Sequence, residues 1–235
     1  MRTKLYIALA LSLVSTLNAC GGGGGGGGSS DGQRYDVLIE NIASANALPS
    51  GAPVVFSIGI FAVHDGSSPI FTPGSFASTE LESFAEDGDP SPLVRTLQND
   101  TSIGLLGLVQ TPVGQLSPST LRPGQSYKTI IDTSGGSRFS LALGFLQGND
   151  LFVADADGIN LSPNGQPLAG DVTSSFTLYD AGTEKNEEPG AGANQGPRQA
   201  APNTGTSESA PVGPVSDGFQ YPPVNQILRV TITPQ

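Results

Sequence analysis

The sequence predicts an all-β fold, an antiparallel sandwich of about eight strands with one or two short helices. Two observations carry this prediction. Short segments with strand-like patterns recur along the chain, and turns rich in Gly, Pro, Asn and Ser separate them. Helical periodicity is confined to two short segments, so helices cannot form a second layer of comparable size.

Each predicted strand follows from its pattern of apolar residues. The first and last, residues 34–42 and 226–233, alternate apolar and polar side chains, which indicates one buried face. Residues 53–63 are almost continuously apolar, which is typical of a central strand buried on both faces. The other predicted strands are residues 104–109, 125–132, 139–146, 151–154 and 172–179.

Two helices and one long loop complete the predicted fold. Residues 79–86 form a helix with Ser78 or Thr79 as N-cap and Gly88 beyond its end, and residues 92–98 form a second helical turn. Residues 184–223 contain many Gly and Pro and almost no large apolar side chain before Phe219. Loops of this length are usually functional or disordered, and this composition favours disorder.

The first twenty residues, MRTKLYIALALSLVSTLNAC, resemble the signal peptide of a bacterial lipoprotein. Arg2 and Lys4 give a positive start, and residues 5–14 form an apolar run too short to span a bilayer. The resemblance implies cleavage before Cys20 and lipidation of its thiol. Cys20 is the only cysteine, so an internal disulfide is excluded.

The residues after Cys20 predict a flexible tether, residues 21–33, which begins with eight consecutive glycines. A glycine-rich chain of this length reaches roughly 20 Å, enough to hold a domain clear of lipid headgroups. Gly21, rather than Asp, follows the cysteine, and by the sorting rule of enteric bacteria this predicts the outer membrane of the cell envelope, periplasmic or surface-exposed. Residues 34–235 are then one exported domain.

Charge excludes several classes of partner. The signal holds Arg2 and Lys4 and no acid, so its removal leaves 8 basic and 21 acidic side chains and moves the formal charge from −11 to −13. Such a domain repels nucleic acid and attracts divalent cations. We expect no nucleic-acid partner, membrane contact through the lipid on Cys20, and an unknown protein or glycan as surface ligand.

Catalytic motifs are scarce. The only histidine, His64, follows an apolar strand in an HDG sequence and is predicted to be a turn residue; with one histidine, a zinc site built on several histidines is excluded. No G-x-S-x-G sequence is present. Acidic pairs such as Glu86-Asp87 are predicted to be solvated surface.

Two acidic turns are better candidates for chemistry. Residues 149–158 and 179–184 each join a strand to carboxylates, and calcium prefers such oxygen ligands. The spacing in residues 149–158 is not that of an EF-hand. If Asp150 and Asp180 lie at the same edge of the sandwich, three carboxylates converge; otherwise these are two unrelated acidic turns.

Four segments together resemble the spondin N-terminal domain in its bacterial form: FASTELESFAEDGD (76–89), RPGQSYKTIID (122–132), SLALGFLQGNDLFVADADGI (140–159) and LYDAGTEKNEE (178–188). The resemblance implies a C2-like β-sandwich. It also implies a calcium site whose ligands are Asp150, Asp180 and Glu184. Glu184 stands where the animal proteins have Asp, and Leu151 stands where they have Trp.

Three functions remain open at this point. The first is a membrane-anchored, calcium-binding recognition or adhesion module without catalysis. The second is a metal-assisted hydrolase that uses Asp150, Asp180 and Glu184. The third is a purely structural envelope lipoprotein in which calcium only stabilises the fold.

Overall fold

Two antiparallel sheets form the framework of the computed structural model, which describes residues 32–235. The predicted signal peptide, Cys20 and nearly all of the predicted tether lie outside the described residues. The strands are β1 (Arg34–Asn41), β2 (Phe56–His64), β3 (Ile103–Val109), β4 (Ser126–Asp132), β5 (Arg138–Phe145), β6 (Leu151–Ala154), β7 (Ile159–Asn160), β8 (Gly170–Asp171), β9 (Thr177–Asp180), β10 (Gly213–Pro214) and β11 (Leu228–Pro234). The helices are α1 (Thr79–Asp87), α2 (Ser91–Leu97) and the single turn α3 (Val224–Ile227).

The strand order confirms the predicted sandwich. One sheet has the order β4-β1-β11-β8 and the other β10-β9-β6-β5-β2-β3, with β7 also paired to β5. Every pairing between these strands is antiparallel. Eight of the strands have four or more residues, which agrees with the number predicted from the sequence; β7, β8 and β10 are two-residue pairings that carry no periodic pattern.

Burial explains why apolar and polar side chains alternate in some strands but not in others. Tyr35, Val37 and Ile39 of β1 are fully buried against the inner face of the larger sheet, while their neighbours in β1 are partly exposed. In β2, by contrast, Val63 faces this core while Ile60 joins a second apolar cluster beneath α1 and α2. The larger sheet is therefore covered on both faces, as the continuous apolar run of β2 predicts.

Helix α1 begins at the predicted Thr79 and ends at Asp87, one residue beyond the predicted end. The Ser78 hydroxyl accepts a hydrogen bond from the Leu81 N–H at 3.3 Å, which satisfies one free donor of the first turn. Gly88 follows the helix in the left-handed conformation with φ 69°, and its N–H bonds to the Phe84 carbonyl at 3.1 Å. Leu81 and Phe84 are buried against the sheet, so this face fixes the orientation of the helix.

The predicted disorder of residues 184–223 is wrong. This segment, here termed the excursion, lies on the sandwich and contributes β10 to the edge of the larger sheet. Gln195, at its centre, is fully buried and donates hydrogen bonds to the carbonyls of Glu187 and Glu188 at 3.3 and 2.9 Å. Bonds between polar side chains and the backbone thus hold a segment that has little apolar area to bury.

Residues 32–235 belong to one compact unit with an apolar cluster on each side of the larger sheet. Within residues 32–235, no helix combines the length and apolar character that crossing a bilayer requires. Lipid anchoring through Cys20 concerns residues outside the described part, and it stays a prediction.

Candidate metal site at the end of β6 and β9

The pairing of β6 with β9 brings Asp150 and Asp180 together. Asp150 immediately precedes β6, and Asp180 is the last residue of β9. Leu151 is paired with Asp180 in the register, and the Ala181 N–H donates to the Asp150 carbonyl at 3.0 Å. The condition stated from the sequence, that both acids lie at one edge of the sandwich, is therefore met.

The two carboxylate oxygens of Asp150 have different surroundings. Oδ2 accepts hydrogen bonds from the N–H groups of Thr183 and Glu184, at 2.7 and 3.1 Å, and lies 3.1 Å from the Thr183 hydroxyl. Asp150 has no exposed surface, and its Oδ1 has no hydrogen-bond partner. Burial, opposed by these hydrogen bonds, raises the pKa of Asp150, and the nearby Glu184 carboxylate raises it further.

Asp180 is held by the turn that follows it. Its Oδ1 accepts from the Gly182 N–H at 2.7 Å, and its Oδ2 accepts from the Asn186 amide at 2.6 Å. The Asn186 Oδ1 is itself buried and without a partner. Burial and the neighbouring Asp150 raise the pKa of Asp180 to about 7. Asn186, whose amide is bonded to Asp180, and Asp150, whose charge acts on Asp180, thus each carry one buried oxygen without a partner.

Gly182 is required by the geometry of this turn. It has φ +71°, and a Cβ at this position would overlap the carbonyl of Ala210. The Ala210 N–H bonds to the Gly182 carbonyl at 2.9 Å, so the turn is fastened to the excursion. The sharp turn predicted for this glycine from the sequence is confirmed.

Glu184 is buried beside Asp150, and its carboxylate is bonded to the N–H of Gly205 in the excursion. Oε1 accepts from the Gly205 N–H at 2.7 Å, and Oε2 accepts from the Asn149 amide at 3.4 Å. Among residues 32–235, no group of three or more His, Cys, Asp or Glu side chains is arranged to hold a metal ion. The three predicted ligands are neighbours without forming a ready-made three-carboxylate cage, and the ligand role of Glu184 stays a prediction.

Glu86 is a fourth acid at this place, and the sequence analysis missed it. Glu86 is only 2% exposed, so its prediction as solvated surface is wrong. Its Oε1 lies 2.7 Å from the Thr183 hydroxyl, whose single proton can be donated to Glu86 or to Asp150 but not to both, and its Oε2 is buried without a partner. Burial raises the pKa of Glu86 to about 7, and the carboxylates of Glu184 and Asp150 contribute.

None of the four acids here termed the acidic cluster (Glu86, Asp150, Asp180 and Glu184) forms a salt bridge within residues 32–235. The two salt bridges in the described part of the chain, Lys128–Asp36 and Arg229–Glu40, both lie on the smaller sheet. Removing a charge from water without pairing it costs several kcal/mol. The acidic cluster therefore requires either bound protons or a bound cation.

The structure places His64 differently from the sequence analysis. His64 is the last residue of β2 and is fully buried, so its prediction as a turn residue is wrong. Its Nε2 lies 2.9 Å from the Ser140 hydroxyl, and Ser140 in turn donates to Asp155 at 3.0 Å. In a catalytic triad the acid must orient the histidine, whereas here serine stands between them. This buried group links β2, β5 and the turn after β6.

Neither a protein-family model nor a curated protein sequence matches this chain. The resemblance to the spondin N-terminal domain stays a prediction, and function is argued from the acidic cluster.

Proposed function

We propose that this protein is a membrane-anchored, calcium-binding recognition module of the bacterial envelope, without catalysis. In this proposal the lipid on Cys20 holds the chain at the outer membrane, and the residues from Gly21 to Gln33 act as the tether. Calcium binds where β6 begins and β9 ends, through Asp150, Asp180 and Glu184. The ligand recognised is a protein or a glycan on another surface.

The unpartnered Asp150 Oδ1 is the observation that carries the proposal. Nearly all buried polar atoms in proteins have a partner, and those that do not call for an unobserved water or ion. Oδ1 belongs to a fully buried carboxylate, and the other oxygen of that carboxylate already accepts two backbone hydrogen bonds. A cation supplies what this oxygen lacks.

The donor atoms nearby suit calcium, a hard cation that takes carboxylate and amide oxygens. Asp180 offers a second carboxylate, and the unpartnered Asn186 Oδ1 offers a neutral oxygen. Glu184 adds negative charge at the Asp150 carboxylate. When bound, calcium would neutralise this charge and stabilise the turn at Gly182.

A cavity beside Asp180 supports a role in recognition. It has a volume of about 400 Å³ and is lined by the excursion, including Asn186, Glu208, Asp217 and Phe219. Calcium bound at Asp180 would order this wall of the cavity, so that metal binding would affect the surface that a partner contacts. Lys185 and the carboxylates of Glu208 and Asp217 also line the cavity, but none of them is bonded to a Ser, Thr or Cys side chain among the described residues, so the hydrolase alternative gains no specific support.

Thermal unfolding of the segment Asp31–Gln235 tests calcium binding. At a calcium concentration about 100 times the Kd, binding adds roughly 2.7 kcal/mol to the free energy of unfolding. For a domain of this size, this corresponds to a rise in Tm of roughly 5–10 °C over the protein in chelator. Asp180→Asn is expected to abolish the rise.

Glu188→Gln is the matched control, because it also removes one negative charge but alters an exposed side chain. It should keep the full response. Equal melting curves of the unmodified segment in calcium and in chelator would refute the proposal. A glycan array probed with and without calcium then separates recognition from a purely structural role.

A further inference from the structure

We infer that a cavity beside the start of β2 and the end of β5 binds a small zwitterion with an apolar body, of the size of an apolar dipeptide with free termini. This cavity, here termed the arginine cavity because Arg122 lines it, has a volume of about 330 Å³. Ligand pockets in proteins begin at roughly this size, about 300 Å³. No member of the acidic cluster lines it, so this site does not depend on the one proposed for calcium.

Much of the lining of the arginine cavity is apolar. Val55 precedes β2 and Leu146 follows β5, and the Leu146 N–H donates to the Val55 carbonyl at 3.0 Å. The pairing of the two strands therefore continues to this point. Pro53 and, in the excursion, Pro197 complete the apolar lining. An apolar side chain of a ligand would lose its contact with water here, which favours binding.

The arginine cavity also holds two opposite charges that are not paired with each other. Arg122 and Asp87 both line it, and neither takes part in a salt bridge within residues 32–235. The Arg122 guanidinium makes no hydrogen bond in this part of the chain. A ligand that carries both charges satisfies both side chains at once, with its carboxylate at Arg122 and its ammonium group at Asp87.

Gln147 independently points to a missing acceptor. It lines the cavity and is only 5% exposed. The Arg198 guanidinium donates to its Oε1 at 3.0 Å, and because arginine has only donors, this bond fixes which end of the amide is free. The free Nε2 has no acceptor within residues 32–235. It is not one of the fully enclosed polar atoms that lack a partner, so it keeps accessible surface. A ligand carboxylate supplies the acceptor.

Hydrogen bonds hold the walls of the arginine cavity in place. Leu121 and Phe56 exchange two backbone hydrogen bonds, at 2.9 and 3.1 Å, which fix the segment that bears Arg122. On the other side, the Gln199 amide of the excursion donates to Asp87 Oδ1 at 2.8 Å. Asp87 Oδ2 makes no hydrogen bond among the described residues and is available to an ammonium group. A site formed before binding loses little conformational entropy when the ligand enters.

A competing interpretation is that water alone fills the arginine cavity and solvates Arg122 and Asp87 separately. Water makes no demand on a ligand that carries both charges, so this interpretation predicts that peptides with one, two or no charged termini behave alike. The two interpretations therefore differ in a measurable property, the dependence of affinity on each terminal charge.

The test is a calorimetric titration of Asp31–Gln235 with L-leucyl-L-leucine at pH 7, in chelator so that no metal takes part. A ligand of this size is expected to bind with a Kd on the order of 0.1–1 mM, so the titration extends to roughly 10 mM. N-acetyl-L-leucyl-L-leucine lacks the ammonium group, and L-leucyl-L-leucinamide lacks the carboxylate. Each should bind about tenfold more weakly, the effect of losing one hydrogen bond between charged groups.

Two variants assign the charges to side chains. Arg122→Gln and Asp87→Asn should each weaken binding of L-leucyl-L-leucine about tenfold. Removal of the carboxylate should cost nothing further in Arg122→Gln, and removal of the ammonium group should cost nothing further in Asp87→Asn. Arg95→Gln is the matched control, because it also removes a positive charge but alters an exposed side chain of α2 outside the cavity. It should bind as the unmodified segment does.

Gln147→Glu tests the third polar group. It keeps an acceptor for Arg198 and replaces the free donor with a negative charge, so it should also weaken binding. Melting curves check that each variant is folded. The inference is overturned if L-leucyl-L-leucine shows no saturable binding over the titrated range, or if a folded Arg122→Gln or Asp87→Asn binds it as tightly as the unmodified segment. Equal affinity of the unmodified segment for the three peptides would overturn it without any variant.

Discussion

At the scale of single residues, the central feature is that one carboxylate oxygen of Asp150 accepts hydrogen bonds and the other does not. Oδ2 organises the turn after β9 through the N–H groups of Thr183 and Glu184, while Oδ1 has no partner. One carboxylate therefore combines a structural role, which any acceptor could fill, with a charge that needs compensation. These two roles can be separated by substitution.

Asp150→Asn keeps an acceptor for both N–H groups and removes the charge. In chelator at pH 8, we expect the variant to be at least as stable as the unmodified protein, because an unpaired buried charge has been removed. In calcium it should gain nothing, whereas the unmodified protein should gain several degrees in Tm. Differential scanning calorimetry measures both. A variant that is much less stable in chelator but still responds to calcium would contradict this reading.

The sequence could predict part of this site but not all of it. Asp150 and Asp180 could be predicted, because each lies beside a strand with a clear apolar pattern. Asn186 gave no signal, since an amide in a polar loop has no distinctive context. Glu86 contacts Thr183, which lies 97 residues further along the chain, so no local pattern predicts its burial.

At the scale of elements, the turn between β9 and the excursion positions the acids. Gly182 allows the chain to reverse with φ +71°, and its contact with Ala210 leaves no room for a side chain. Asp150 then receives the next two N–H groups of the turn. A change at Gly182 should therefore reach the metal site without altering any acid.

Gly182→Ala should reduce the free energy of unfolding by roughly 1–3 kcal/mol, because of the unfavourable φ and the clash with Ala210. It should also weaken calcium binding, since the turn that orients Asp180 and Thr183 shifts. Chemical denaturation and calcium titration measure the two effects. Gly218→Ala is a useful control, because Gly218 also has positive φ, at 90°, but has open space around it.

A second element-level prediction concerns the turn after β6. Asp155 accepts hydrogen bonds from the N–H groups of Leu141 and Gly158, at 2.7 and 3.0 Å, and from the Ser140 hydroxyl. Asp155→Ala leaves these buried donors unpaired, so we expect a loss of about 3 kcal/mol or more in stability. Urea denaturation checks this. A loss below about 1 kcal/mol would mean that the network is dispensable.

The strands were predictable because their apolar patterns reflect burial directly. The starts of β1, β6 and α1, residues 34, 151 and 79, agree with those predicted. The excursion was not predictable, because side-chain-to-backbone bonds such as those of Gln195 have no period in sequence. The burial of His64 was also missed, since its partner Ser140 lies on β5, far away in the chain.

At the scale of the whole molecule, excess acid links stability to pH. The folded state raises the pKa values of Glu86 and Asp180 to about 7 and of Asp155 to about 6. The folded, metal-free chain therefore binds more protons than the unfolded chain between about pH 4 and 7. Its free energy of unfolding falls as the pH rises through this window. Burial lowers the pKa of His64, which opposes the trend, but three carboxyl groups outweigh one imidazole.

In chelator, we therefore expect a higher Tm at pH 5 than at pH 8. Calcium should reduce the difference in Tm between pH 5 and pH 8. At pH 8 the carboxyl groups are ionised, and calcium bound to them stabilises the folded protein in place of the protons that are bound at pH 5. Melting curves at the two pH values, with and without calcium, measure the effect. A metal-free protein that becomes more stable from pH 5 to pH 8 would contradict the assignment of these buried acids.

Membrane attachment is a separate prediction at the same scale. In a bacterium that makes lipoproteins, the full-length chain should fractionate with membranes and resist extraction by high salt. Cys20→Ser should shift it to the soluble envelope fraction, because the lipidated thiol is the predicted anchor. Retention of Cys20→Ser on the membrane after a salt wash would mean that another part of the chain makes the attachment.

The most direct test of the central claim is a crystal structure of Asp31–Gln235 grown with calcium and collected at a wavelength where calcium scatters anomalously. We predict an anomalous peak within about 2.3–2.6 Å of Asp150 Oδ1, with the Asp180 carboxylate and Asn186 Oδ1 also in the coordination sphere. A water molecule at Asp150 Oδ1, or an unoccupied position beside it at saturating calcium, would contradict the claim.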